Sequence, residues 1–190
     1  MTVPVGFEAC ARLFFPFEGE ETWTQVARRN GRIPHALMEE ETVGVATDGT
    51  PDGCPSDEQV GRLLELLPAY TASERGWFLL WDGWGDLDET VFSGKPMIEH
   101  AIRSFHTLRG PLAAFTEFSD IPSYWWPDDR SWVWCADTDF AWAYLAGSSA
   151  LLERVTADPV LDAYLTDLRN PAHSGMDLLN DPDGTVPRPM

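Results

Sequence analysis

From Phe7 the chain alternates. Phe7, Ala9, Ala11 and Leu13 fall on one side and Glu8, Cys10 and Arg12 on the other, the period of two expected of a half-buried strand, which Pro16 ends. The period then changes. Thr22-Trp23-Thr24-Gln25 has capping-box spacing, Trp23, Val26 and Ala27 share a helical face, and Gly31 stands where a helix would stop, so a short helix is predicted over 22–30. Residues 31–55 carry Pro34, Gly44, Asp48-Gly49, Pro51, Gly53 and Pro55 with the acidic run Glu39-Glu40-Glu41, and read as a long exposed loop in which Ile33 to Met38 dock locally. Ser56 to Gln59 repeats the capping-box spacing, and Val60, Leu63, Leu64 and Leu67 recur at i, i+3, i+4 and i+7 before Pro68, the clearest helical pattern in the chain.

The second half is read in the same way. Gly76-Trp77-Phe78-Leu79-Leu80-Trp81-Asp82 is too short for a buried helix and aromatic enough for a central strand covered on both faces, and Asp82-Gly83-Trp84-Gly85-Asp86 must turn. Ala101 to Leu108 also suits a helix, but Ser104-Phe105-His106-Thr107 and the Gly110-Pro111 break favour a strand, with a partner strand expected over 111–118. Trp132 to Asp139 places Trp132, Trp134, Ala136 and Thr138 on one face of a strand, and Val133, Cys135, Asp137 and Asp139 on the other. Ser148 caps a helix in which Leu151, Leu152 and Val155 align, and Asp158-Pro159 opens a second with Leu161, Tyr164, Leu165 and Leu168 inward. This order lacks regular β-α-β alternation, so the expected fold class is α+β, mainly antiparallel, as one domain over 1–170 with an extended or loosely docked tail over 171–190.

Composition narrows the class. With 44% hydrophobic residues, 9 Trp, 10 Phe and 4 Tyr, a chain of 190 residues can build a sizeable core, unlike a disordered acidic protein. The 31 Asp and Glu against 13 Lys and Arg give a formal charge of −18, which disfavours direct nucleic-acid binding and anionic membranes and attracts basic partners, although acidity also serves solubility alone. Three cysteines, Cys10, Cys54 and Cys135, with no C-x-x-C, suggest reduced thiols in a cytoplasmic protein. No basic segment followed by a long apolar run opens the chain, and no apolar run approaches the roughly 18 residues of a membrane span.

Few residues carry a recognisable chemistry. Asp137 and Asp139 share one side of a strand end, with Asp128, Asp129 and Arg130 just upstream, a geometry able to hold a hard cation but short of ligands; solvation or pairing with Arg is the expectation, and no metal or cofactor is implied. Asp82, Asp86, Asp88 and Glu89 do not have EF-hand spacing, and Asp181-Pro182-Asp183-Gly184 is turn chemistry. His100 and His106 would share a face only on a strand, and His106 is read as a satisfied, partly buried histidine. Neither a nucleophile elbow nor a phosphate-cradling loop is present. Tryptophan is the unusual feature: Trp77, Trp81, Trp84, Trp125, Trp126, Trp132, Trp134 and Trp142 crowd the middle of the chain, and Trp84 and the Trp125-Trp126 pair are the ones expected to be exposed.

Three segments, GWFLLWDGWG (76–85), IRSFHTLRGPL (102–112) and WWPDDRSWVWCADTDFAWAYLAGSSALLERV (125–155), together with GFEACARLFFP (6–16), resemble an uncharacterised actinobacterial protein family, a resemblance that carries no function. The acidic α+β body with its W-x-G-W-G turn is also similar to the SUKH immunity superfamily, which implies neutralisation of a toxin by tight binding and transfers no interface residue.

Two function classes follow. The first is a non-enzymatic binding protein, of immunity or antitoxin type, that meets a basic protein partner through Asp82, Trp84, Asp86, Asp88, Trp125, Trp126, Asp128 and Asp129, with charge steering the encounter and tryptophan anchoring it. The second is a small-ligand-binding protein or enzyme with an aromatic cleft and Asp129, Arg130, Asp137 and Asp139 as its polar equipment. DNA mimicry by the acidic surface ranks last. Any functional surface is expected where 82–89 and 125–130 meet.

Overall fold

A computed structural model describes residues 5–17, 21–44, 51, 53–84, 92–99, 103–167, 169 and 175–184. Their strands are β1 (Ala9–Phe14), β2 (Arg75–Trp81), β3 (Met97–Glu99), β4 (Ser104–Pro111), β5 (Tyr124–Pro127), β6 (Val133–Ala136), β7 (Trp142–Gly147) and β8 (Ala163–Thr166). They form one antiparallel sheet in the order β3-β4-β2-β5-β6-β7-β1-β8. The helices are α1 (Trp23–Arg29), α2 (Glu40–Val43), α3 (Asp57–Leu66) and α4 (Ser149–Ala157), with 3₁₀ turns at Leu67–Tyr70 and Leu112–Glu117. The fold is α+β and mainly antiparallel, as the pattern of the chain predicts.

Local chemistry sets the helix starts. Thr22 and Gln25 complete a capping box at α1, Ser56 and Gln59 do so at α3, and the Ser148 hydroxyl accepts from the Leu151 N–H at α4. Each cap satisfies amide donors that the first turn of a helix leaves without intrahelical partners.

Strand alternation divides the side chains between two faces. On the first, Ala11, Leu13, Phe78, Leu80, Trp125, Trp134, Ala136 and Leu145 pack against Leu63 of α3, Leu112 and Phe115 of the second 3₁₀ turn, and Leu151, Leu152 and Val155 of α4. This face is closed. On the second, the β1 end is covered, because Phe14 packs with Trp23, Val26 and Ala27 of α1, Val43 of α2 and Met38. Cross-strand register there builds one continuous row, Thr107-Leu79-Tyr124-Cys135-Tyr144-Arg12-Tyr164, running over seven strands. Towards β2 and β5 the cover thins, and Trp77, Trp81, Tyr124 and Trp126 stay partly exposed. The expectation of a β2 covered on both faces therefore holds for Phe78 to Leu80 and fails at its two tryptophans.

Gly76 shows how tightly β5 is laid against β2. A β-carbon there would stand 2.4 Å from the Trp126 carbonyl oxygen and 2.6 Å from Leu112 Cδ2, so only glycine admits both neighbours.

Four expectations are corrected. The segment 111–118 forms a 3₁₀ turn that sends Leu112, Ala114 and Phe115 into the core, instead of a strand. The helix expected from Asp158 is a turn followed by edge strand β8; Asp162 has a φ of 42°, which breaks a helix, and its neighbours pair with β1, leaving Leu165 outward. The loop over 31–55 is no bare surface, since Met38, Glu39, Thr42 and Val43 are buried around α2.

The tail is the fourth. Its described part, 175–184, is firmly docked: the Asp177 carboxylate, inaccessible to solvent, accepts hydrogen bonds from Thr42 Oγ1, from the Asn180 N–H at 3.0 Å and from Asn180 Nδ2 at 3.0 Å, and pairs with His35 Nε2 at 2.7 Å. The Glu39 carboxylate accepts from the Met176 N–H at 2.7 Å, and Asn180 joins Ile33 through both backbone groups. Burial alone would raise the Asp177 pKa, but the bonds from His35, Thr42 and Asn180 outweigh it and hold the carboxyl at about 2. Beneath this cluster Arg12 is 3% exposed, with its guanidinium 3.6 Å from the Trp142 ring centroid and one N–H donated to the Ala36 carbonyl. Desolvation pulls its pKa down to about 10, against the opposing pull of Tyr144, Glu39 and Asp177.

Candidate functional site

The uncovered part of the second face contains a cleft. Alternation along β2 and β5 sends Trp77, Leu79 and Trp81 to the same side as Tyr124 and Trp126, and the register sets Trp77 beside Trp126 and Leu79 beside Tyr124. Phe7, ahead of β1, packs, as Tyr124 and Trp126 do, against the buried cluster of Cys10, Val133, Cys135, Tyr144 and Ala146. Phe7, Leu79, Tyr124, Trp126, Trp132 and Val133, with Arg130, line an open cleft of about 320 Å³ whose wall is almost wholly apolar.

Arg130 enters this wall from the β5–β6 turn, where its N–H donates to the Pro127 carbonyl and its backbone has a φ of 56°. Asp129 fixes that turn. Its carboxylate accepts from Thr71 Oγ1 at 2.8 Å, the Ala72 N–H at 2.7 Å, Ser131 Oγ at 2.8 Å and the Ser131 N–H at 3.1 Å. Desolvation works to raise the Asp129 pKa, and the bonds from Ala72, Thr71 and Ser131 override it, bringing the group to about 2. Asp129 is thus spent on the turn, and not on a partner or ligand.

Of the remaining acids expected at a partner surface, the two described ones, Asp128 and Asp82, are similarly engaged. Asp128 takes a two-pronged contact from Arg109, Nε to Oδ1 at 3.0 Å and Nη2 to Oδ2 at 2.5 Å, and the Arg109 side chain holds its pKa below the usual range. Asp82 meets His106 Nε2 at 2.5 Å, with the Phe92 ring 4.7 Å from the imidazole, so His106 is the satisfied, partly buried histidine the sequence suggests. Asp86, Asp88, Glu89 and His100 lie outside the described residues. Trp84 stands edge-on to Trp81 at 5.7 Å and is half-buried; Trp126 is half-buried in the cleft.

Trp125 is corrected outright. It is 1% exposed, because its parity on β5 is that of Phe78 and Trp134, and it packs among Phe78, Phe115 and Trp132. The described parts of the two stretches expected to meet lie at opposite ends of β2, since Asp82 follows its last residue whereas the Asp128 N–H bonds the Arg75 carbonyl at its first; residues 85–89 lie outside the described residues. A seven-residue strand separates those ends by about 20 Å.

Asp137 and Asp139 do share one side, and the cation between them is Arg103, with Nη1 at 2.8 Å from Asp137 Oδ1 and Nη2 at 2.5 Å from Asp139 Oδ2. The same guanidinium sits 4.9 Å from the Trp81 ring centroid. Among the described residues no three His, Cys, Asp or Glu side chains converge as a metal ion would need. The alternative polar set is therefore split: Asp137 and Asp139 serve Arg103, Asp129 serves the turn, and Arg130 alone lines the cleft. Replacing Arg103 with methionine leaves two carboxylates facing each other and is expected to cost about 1–2 kcal/mol in urea unfolding at pH 7.

A second, larger concavity of about 640 Å³ opens beside β8 and includes Cys10, His35, Leu37 and Thr166. Its reactive types are disarmed. Burial lifts the Cys10 thiol to about 12, and raises that of the adjoining Cys135 as well. His35 Nδ1 accepts from the Leu37 N–H at 3.1 Å, so the proton rests on Nε2, facing Asp177, and neither nitrogen is left to act as a base.

Sequence reading missed Phe7, Leu79, Tyr124, Trp132 and Val133 as lining residues; each looks like an ordinary strand residue, and only the tertiary structure brings them together. No helix among the described residues is long and apolar enough to cross a membrane. No protein-family model, curated protein or solved structure matches the chain.

Proposed function

We propose that this protein is a non-catalytic binding protein that holds a small, largely apolar molecule in the cleft between β2, β5 and Phe7. The observation that carries this reading is the concavity itself. At about 320 Å³ it falls in the range of ligand sites, roughly 300–1,000 Å³, and it is walled by aromatic and aliphatic side chains on a part of the sheet that no helix among the described residues covers. Catalysis is disfavoured because Cys10, His35, His106, Asp137 and Asp139 are each either desolvated or engaged by a neighbour.

An immunity-type protein in the cytoplasm that covers a basic toxin is the second reading, and the formal charge of −18 favours it. Against it, Asp82 and Asp128 already have cationic or hydrogen-bonding partners of their own, and Asp129 is committed to a turn.

Native mass spectrometry on protein purified from its own host separates the two. One equivalent of a small organic molecule, lost in Trp126→Ala while urea stability falls by only about 1 kcal/mol, is the expected result. Ligand-free protein whose fluorescence no bicyclic aromatic compound changes, and which captures a basic protein that high salt strips away, would transfer the assignment to the second reading.

A further inference from the structure

Resting on the reading of the cleft as a ligand site, we infer that its ligand is an anion: a flat apolar body bearing one carboxylate, which Arg130 holds at the rim. Three observations converge on Arg130. The cleft wall is almost wholly apolar although Arg130 is part of it, so the residue contributes its aliphatic stem and carries its guanidinium outside, where water reaches it. A charge could not enter such a cavity, but a group at the edge of a bound ring system would meet the guanidinium.

Arg130 also has no carboxylate partner among the described residues, in a chain with 31 acids and 13 basic residues. Its two predecessors are aspartates, and both turn elsewhere: Asp128 to Arg109, Asp129 to Thr71, Ala72 and Ser131. No ion pair forms with Arg130 among the described residues, nor with Arg12, Arg28, Arg32, Arg75 or Arg154, whereas Arg29, Arg62, Arg103, Arg109 and Arg169 are paired.

Its backbone is the third observation. A φ of 56° is the left-handed region, which favours glycine, and a long charged residue stands there instead. Strain at a residue that lines a cavity is a mark of a site whose side chain matters more than its conformational ease. The Asp129 clamp holds the turn in that shape and so aims the stem of Arg130 into the wall.

The test uses a matched pair, naphthalene-2-carboxylate and its neutral carboxamide, titrated into the whole chain by tryptophan fluorescence and calorimetry at pH 7. The wild type is expected to bind the carboxylate about ten-fold more tightly than the amide, as one charge-assisted hydrogen-bonded contact implies. Arg130→Gly should bind the two equally and melt at a higher temperature, because glycine relieves the backbone, while Arg130→Lys should keep part of the preference. Equal binding of the pair by the wild type, or a preference undiminished in Arg130→Gly, would overturn the assignment of the anion while leaving the cleft as a ligand site. Binding of neither compound would remove both.

Discussion

Replacing Asp177 with alanine is expected to lower stability by about 4 kcal/mol, roughly 10 °C in melting temperature for a chain of this size. The carboxylate is inaccessible to solvent and serves Thr42, both nitrogens of Asn180 and His35 at once, so its removal leaves several buried donors without an acceptor. It also unties residues 175–181 from the layer that covers Arg12. The pH dependence gives a separate signature. The folded pKa of Asp177 is depressed to about 2 from an ordinary 3.8, so its contribution, on the order of 2 kcal/mol, is complete above about pH 4 and disappears as the pH falls towards 2. Urea unfolding followed at pH 7, 4 and 2.5 should find the gap between wild type and Asp177→Ala closing with acidification. A gap that stays constant would mean that the segment is held by its apolar contacts and not by the carboxylate.

Trp125→Ala is expected to cost about 3–5 kcal/mol, and Trp126→Ala only about 1, although the two are adjacent. Trp125 is packed against Phe78, with stacked rings at 6.2 Å, against Phe115 at 4.6 Å and edge-on against Trp132 at 4.8 Å, so truncation opens a cavity that the surrounding rings cannot fill. Its indole N–H has no hydrogen-bond partner among the described residues, so Trp125→Phe forfeits chiefly volume and should lose about 1–2 kcal/mol. Chemical unfolding monitored by circular dichroism ranks the three variants. If Trp125→Ala were as mild as Trp126→Ala, the assignment of Trp125 to the closed face would be wrong.

This pair also marks where reading of the chain stops. Alternation tells that successive residues point to opposite faces, but in a run such as Tyr124-Trp125-Trp126 every residue is apolar, and no polar neighbour indicates which face is inside. The choice came from pairing: Trp125 stands beside Phe78 and Trp134, whereas Trp126 stands beside Trp77. For the same reason β7, Trp142–Gly147, has no signature of its own, since Ala143 to Gly147 are buried on both faces between β6 and β1.

What the sequence by itself determined is the set of features written in short-range chemistry. The capping boxes at Thr22 and Ser56, the cap at Ser148, the strand patterns of β1, β2 and β6, and the α+β class all follow from contacts within a few residues. Tertiary structure decided everything that depends on which distant residues meet. It gave Asp137 and Asp139 an arginine thirty-odd residues upstream, turned Asp128 towards Arg109, and buried Asp177 against His35. It also gathered Phe7, Leu79, Tyr124 and Val133 from four separate stretches around one cavity and set Arg130 at its edge, with no ion pair among the described residues. A carboxylate carries the same charge whether solvated, clamped in a turn or paired, and a strand residue has the same pattern whether its face is covered or open. The energy that distinguishes these states comes from the neighbours that the fold supplies.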